Sequence, residues 1–213
     1  QKTLQESTKS YDAELLKEQR SLNDLYGALN RAKEGTEARR KIIALINSQY
    51  GKYLSSMLTE KSTADEIKKS YDKINESLRE NIALKTQKEA IDKIQAQGIE
   101  EQASQLQNLR DSFGEYTDNS ALIETVIGQV VSKVDAAQRE GVSNIKVLYD
   151  VQRELLGAIV GGGKEVSEDM ANALDAYIRS VYGTAVAIQG VKKKYSPLIG
   201  KDADEGTGTT TTT

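Results

Sequence analysis

The side chains in this chain that could do chemistry are its carboxylates, 32 Asp and Glu against 29 Lys and Arg, with a formal net charge of −3. Neighbouring acids such as Glu100-Glu101 or Asp65-Glu66 can be drawn as a general acid–base pair. With 32 carboxylates in 213 residues such neighbours are unavoidable, and a solvated helix face is the simpler account of both pairs. The chain has no histidine and no cysteine. That removes Ser-His-Asp and Cys-His catalysis as usually built, and nearly every zinc site. A glycosidase would present aromatic platforms to sugars, yet aromatics make up only 5% of the residues, with no Trp and one Phe.

Two loops merit a test against ligand motifs. Gly161-Gly162-Gly163-Lys164 looks like part of a phosphate loop, but Glu165 follows the lysine, the G-x-x-x-x-G-K-[ST] spacing is missing and no strand precedes it. Asp202-Ala203-Asp204-Glu205-Gly206 resembles the opening of a calcium loop, but threonines stand where the downstream bidentate glutamate belongs. A flexible acidic tail is the simpler reading. The one basic cluster, Lys192-Lys193-Lys194, falls where the last helix should end, a favourable place at the negative end of its dipole. With a sequence pI of about 5.3 the chain lacks the basic face that phosphate neutralisation demands. No catalytic residue, cofactor or metal is expected, and no nucleic-acid partner. The absence of cysteine fits a reducing compartment. The longest uncharged apolar run, residues 180–191, is about 12 residues against the ~20 of a bilayer span, so no membrane helix is expected in this segment. No secretory signal is visible, and Gln1 in place of an initiator methionine leads us to expect a piece of a longer protein.

One proline and abundant Ala, Glu, Lys, Gln, Leu and Ile point to an all-α fold. The dominant element is one very long helix, residues 64–113 within a segment spanning 62–113. It opens on Thr63 as N-cap with Glu66 three residues on, a capping box. At 1.5 Å per residue, ~50 residues of helix reach ~75 Å. Its narrow stripe of Ile67, Tyr71, Ile74, Leu78, Ile82, Ile91 and Ile94 reads as a helix-pairing interface. The register is irregular between Lys85 and Lys88.

Residues 1–58 should supply the helices that pair with it: one over 3–33, with Leu22, Leu25, Tyr26 and Leu29 on its apolar face, and one over 36–50, stopped by Gly51 in a left-handed cap conformation. Tyr53, Leu54, Met57 and Leu58 in the following connection are expected to pack. Together these elements predict an elongated, coiled-coil-like helical hairpin.

Charge density then falls, from roughly a third of residues to below about a quarter, and aliphatics rise. Residues 118–200 read as a small bundle of three helices. The first, 120–139, turns Leu122, Ile123, Val126, Ile127, Val130, Val131 and Val134 inward. The second covers 143–156 and is followed by a glycine-rich breaker, 157–163. The third is capped by Ser167 and packs Met170, Leu174, Tyr177, Ile178, Val181 and Ala185. Gly183 and Gly190, with Ala185 and Ala187 between them, offer a smooth surface for close helix packing. Residues 201–213 form a flexible acidic and Thr-rich tail.

The run Leu25-Tyr26-Gly27-Ala28-Leu29, then Gly35-Thr36-Glu37-Ala38-Arg39-Arg40-Lys41-Ile42-Ile43, then Ile46-Asn47-Ser48-Gln49-Tyr50-Gly51-Lys52-Tyr53-Leu54, resembles a segment of phage tail tape-measure proteins, especially those of phages and prophages of Bacteroides-type bacteria. The likeness continues from Glu60-Lys61-Ser62 through Ile67 into Ser77-Leu78-Arg79-Glu80-Asn81-Ile82-Ala83-Leu84-Lys85. It ends near Gln95, less than half of the chain, and the part after Asp118 is only compatible with it. The resemblance implies a structural, non-catalytic role in virion assembly: a long helical chain inside the tail tube whose length sets tail length and which leaves the tube during DNA delivery. It implies a location in the phage tail, or in the bacterial cytoplasm during assembly. The implied partners are other helices or other copies of the same protein, and tail tube or tail assembly proteins. Some members of the family carry peptidoglycan-cleaving or membrane-active segments; this chain shows neither, and none of their functional residues carries over. The alternative is a helical interaction module of a secreted effector, adhesin stalk or toxin-delivery protein.

Overall fold

A computed structural model describes residues 2–116, 120–139 and 167–200, and these are mostly helical with no strand among them. The helices are α1 (Lys2–Arg31), α2 (Glu37–Tyr50), α3 (Ala64–Tyr116), α4 (Ser120–Arg139) and α5 (Glu168–Tyr195), with 3-10 turns at Gly51–Tyr53 and Ser196–Leu198. The helix expected over 143–156, the breaker at 157–163 and the tail at 201–213 lie outside the described residues. No helix among the described residues is long and apolar enough to cross a membrane.

Local chemistry sets the helix ends. α1 stops ahead of Gly35, whose φ of +75° is the left-handed conformation that glycine adopts without strain. Thr36 then caps α2, its Oγ1 accepting from the Arg39 N–H at 3.3 Å. α3 begins with a closed capping box: Thr63 N–H donates to Glu66 Oε2 at 2.7 Å, and Glu66 N–H to Thr63 Oγ1 at 3.3 Å. Ser167 caps α5 by accepting from Met170 N–H at 3.2 Å. α3 runs 53 residues, three past the expected end at Phe113. No proline interrupts it.

By contact density the chain divides into two compact units, one containing the residues up to Ala90 and those from Lys192 on, the other Ile91–Val191. The division falls inside α3, at a point no glycine or proline marks. In the first unit α1 runs antiparallel to α3, as the pairs Tyr26–Ser70, Gln19–Asn75 and Glu14–Lys85 show. Its core joins Leu22, Tyr26 and Leu29 of α1, Ile43, Ile46 and Tyr50 of α2, Leu58 of the connection, and Ile67, Ile74 and Leu78 of α3. In the second unit Leu109 and Phe113 of α3 pack with Ile127, Val130 and Val134 of α4 and with Met170, Leu174, Tyr177, Ile178 and Val181 of α5.

Four details differ from the sequence expectations. Leu122, expected inside, is 50% exposed, because the face of α4 that packs is the narrower stripe of Ile127, Val130 and Val134. Gly51 ends α2 in a right-handed conformation, φ −56° and ψ −30°. Handedness therefore does not account for this glycine; a Cβ there would stand 2.7 Å from Sδ and Cε of Met57, the far end of a flexible side chain that would have to shift. Met57 itself stays mostly outside the core. Lastly, no neighbouring side chain or other described element lies within 4 Å of a Cβ built on Gly183 or Gly190, so no described helix meets that surface closely. The tight approach is at Gly98 of α3, where a Cβ would lie 2.5 Å from Thr184 Oγ1 of α5.

Candidate functional site

Among the described residues, the polar side chains with the most complete set of hydrogen bonds lie in the first unit, where α1, α2 and the start of α3 meet. Arg39 is the centre of this junction. It shares the four-three-four spacing of Ile43, Ile46 and Tyr50, so it points inward from α2 and is only 6% exposed. Its Nη1 donates to Leu29 O at 3.1 Å and Ala32 O at 3.4 Å. These are carbonyls at the end of α1, where helix geometry leaves acceptors unpaired and the dipole favours a cation. Glu60, from the α2–α3 connection, accepts from Gly35 N–H through Oε2 at 3.3 Å. Arg39 Nε and Glu60 Oε1 are buried without a hydrogen-bond partner among the described residues.

A second clamp is Asn47. Its Nδ2 donates to Leu58 O at 2.8 Å and its Oδ1 accepts from Leu58 N–H at 2.9 Å. The side-chain amide thus pairs with one peptide unit as a neighbouring strand would, and drops Leu58 into the core. Tyr26 makes the third. Ser70 Oγ donates to Ile67 O at 2.7 Å, so in the 2.7 Å bond between the two hydroxyls the phenol is the donor. Tyr26 and Tyr71 meet edge to face at 5.2 Å, and Tyr71 donates to Asn23 Oδ1 at 2.6 Å. Burial pushes the Tyr26 phenol above its ordinary pKa, with the hydrogen bond it shares with Ser70 acting in the opposite direction. Burial does the same at Tyr50 and at Tyr11. Towards the other end of α1, Tyr195 packs edge to face on Tyr11 at 5.9 Å and donates to Ser7 Oγ at 3.1 Å.

The residues of the sequence-predicted pairing interface are distributed as follows. Ile67, Ile74 and Leu78 lie in the first unit's core, and Tyr71 packs against it partly buried. Ile82 and Ile94 are buried further along α3, and Ile91 is half-buried. Between Ile82 and Ile94 the seam continues in small residues that a search for large apolar side chains passes over: Ala83, Thr86 and Ala90 are all buried. Their spacing is the same three to four residues, so the irregular register of that stretch is a change in side-chain size and not in period. Arg39, Asn47, Ser70 and Tyr195 also gained no individual role from the sequence. For Arg39 a signal existed, its place on the apolar stripe of α2.

The acidic pairs are arranged for solvent. Glu100 and Glu101 are exposed on α3. Asp65 is ion-paired with Lys69 at 2.8 Å on the surface and Glu66 is spent on the capping box. No group of three or more potential metal-ligating side chains occurs among the described residues. Lys192, Lys193 and Lys194 occupy the last turn of α5 and are exposed. The glycine-lysine and acidic-glycine loops lie outside the described residues. What the junction does chemically is satisfy helix ends and fix the register of three helices.

Two open grooves flank it. One, of about 430 Å³, runs between Asn23, Tyr26, Gly27 and Asn30 of α1 and Ile67 and Tyr71 of α3. The other, of about 530 Å³, separates Leu54–Thr59 from Glu66, Lys69 and Lys73. No family model matches the chain, and neither a curated protein nor a solved structure is significantly similar to it.

Proposed function

We propose that this chain is a structural segment of a phage tail tape-measure protein, a non-catalytic helical spacer that contributes length to the tail ruler. The observation that carries the reading is α3, 53 residues of helix with no internal break, held at its start by the residues on which the family resemblance rests. Gly35, Thr36, Arg39, Asn47, Tyr50 and Gly51 each have a mechanical task in the junction: a left-handed turn, a helix cap, a carbonyl clamp, a loop clamp, a core ring and a packing contact for Met57. A ruler needs a fixed length per residue, which a helix supplies at 1.5 Å of rise. It also needs its helices to keep one register, which directional hydrogen bonds at the junction supply.

The test is a series of in-frame deletions and duplications within α3 in the phage that encodes the protein, with tails measured by electron microscopy. Tail length should change by ~1.5 Å per residue removed or added. Tails of unaltered length across the series would overturn the ruler role and leave the helical interaction module as the reading to pursue.

A further inference from the structure

We propose that Met57 is a reversible oxidation site, through which peroxides loosen the connection between α2 and α3. The chain has two methionines and no cysteine, so its only thioether sulfurs sit at Met57 and Met170, in opposite surroundings. Met170 is 1% exposed in the core of the second unit, whereas Met57 is 58% exposed and lines the open groove of about 530 Å³ beside α3. Oxidant reaches the second and not the first.

The Met57 thioether also holds something in place. Its Sδ and Cε lie against Gly51, each 2.7 Å from where a Cβ would stand. On one side of it the Leu54 N–H is tied to Gly51 O at 3.0 Å; on the other Leu58 is clamped by Asn47. Between those anchors, Ser55, Ser56 and Met57 make no hydrogen bond among the described residues. Between the two anchored leucines, the packing of Met57 on Gly51 is the contact these three residues make with the end of α2.

Oxidation removes that contact by simple chemistry. A sulfur lone pair attacks a peroxide oxygen, the O–O bond breaks, and the sulfur gains an S–O bond. With hydrogen peroxide the other oxygen leaves as water, so the sulfur is oxidised by two electrons and the peroxide reduced by two. The sulfoxide is polar and hydrated. Its added oxygen and hydration shell fit the close contact with Gly51 less well than the thioether does, and the open groove beside Met57 offers the side chain room to move away. Methionine sulfoxide reductases reverse the step.

The experiment treats the folded full chain with hydrogen peroxide, follows both methionines by peptide mass spectrometry, and measures amide hydrogen exchange of residues 51–59. Met57 should convert completely before Met170 is detectably oxidised, and exchange of 51–59 should then accelerate. Met57→Leu keeps an apolar contact of similar volume; in the same peroxide its exchange should not change. Reductase treatment should restore slow exchange in the oxidised wild type. Parallel oxidation of the two methionines, or complete conversion of Met57 with unchanged exchange, would overturn the proposal. So would acceleration in Met57→Leu equal to that in the wild type, or exchange that the reductase fails to slow again.

Discussion

The two units hold helix against helix by different means. In the first, an apolar core is fastened at its edges by side chains that reach specific backbone groups: Arg39 on the Leu29 and Ala32 carbonyls, Asn47 on both sides of Leu58, Tyr26 through Ser70 to Ile67. In the second, the described core from Leu109 to Val181 is apolar but for the phenol of Tyr177, and the described polar tie between its helices is the ion pair of Arg110 on α3 with Glu124 on α4, at the surface. Apolar burial scales with area and is indifferent to which side chain meets which. A hydrogen bond is directional, and a slip in register leaves buried groups unpaired. The first unit therefore specifies its register with polar contacts. Among the described residues of the second, the buried constraint is one of shape, at the close approach of Gly98 to Thr184, with the Arg110–Glu124 pair acting at the surface.

The largest expected effect tests whether the stripe of α3 is the first unit's core. Replacing Ile74 and Leu78 together by Asp puts two charges where side chains are almost wholly buried. The cost should be about 3–5 kcal/mol or more, and hydrogen exchange should rise in α1, α2 and the first half of α3. An unchanged melting temperature would show that the stripe is not buried.

Next in size is Arg39→Met, which keeps the apolar stem and deletes the clamp. It should cost about 2 kcal/mol by chemical denaturation, because Ala32 O loses the Arg39 donor and Leu29 O keeps only the Ala32 N–H. A variant as stable as the parent would mean that the clamp adds nothing beyond packing, and the contrast between the units would fail.

Shape specification predicts a smaller effect in the second unit. Gly98→Ala should destabilise by about 1 kcal/mol although alanine is the better helix former, since Thr184 is β-branched and cannot yield freely. Adding Thr184→Ala should recover most of the loss. Additive losses in the double variant would place the origin of the effect elsewhere.

The smallest and most graded effect is alkaline. Tyr11, Tyr26 and Tyr50 in the first unit and Tyr177 in the second all have phenols raised above 10.0, each by burial first. A raised folded-state pKa means the folded state holds its proton more tightly than the unfolded chain. The contribution is fully present below the unfolded value near 10 and is lost as pH rises through the folded value. Stability should thus decline above about pH 10, and peptides of the first unit, with three such phenols, should lose exchange protection at lower pH than those of the second. Equal alkaline sensitivity of the two units would contradict this ordering.

Much of this protein is written locally. Thr63 and Glu66 start α3 and Ser167 starts α5 because a cap needs only residues three apart, and Ile67, Ile74, Leu78, Val130, Leu174 and Ile178 are legible because a 3.6-residue period places them on one face. The all-α class follows from the same local preferences, summed over a chain with one proline. Other features depended on partners far along the chain. Nothing near Ser70 announces Tyr26, 44 residues away, and nothing near Tyr195 announces Ser7, 188 residues away. The same holds where geometry overrode a residue's usual reading: Leu122 is half-exposed, Thr86 and Ala90 continue the seam of α3, and Gly51 ends α2 right-handed instead of as a left-handed stop. Periodicity along the sequence fixes which face of a helix is apolar. Which atoms meet that face, and how closely, depends on backbones brought together from distant parts of the chain, and only the tertiary structure decides it.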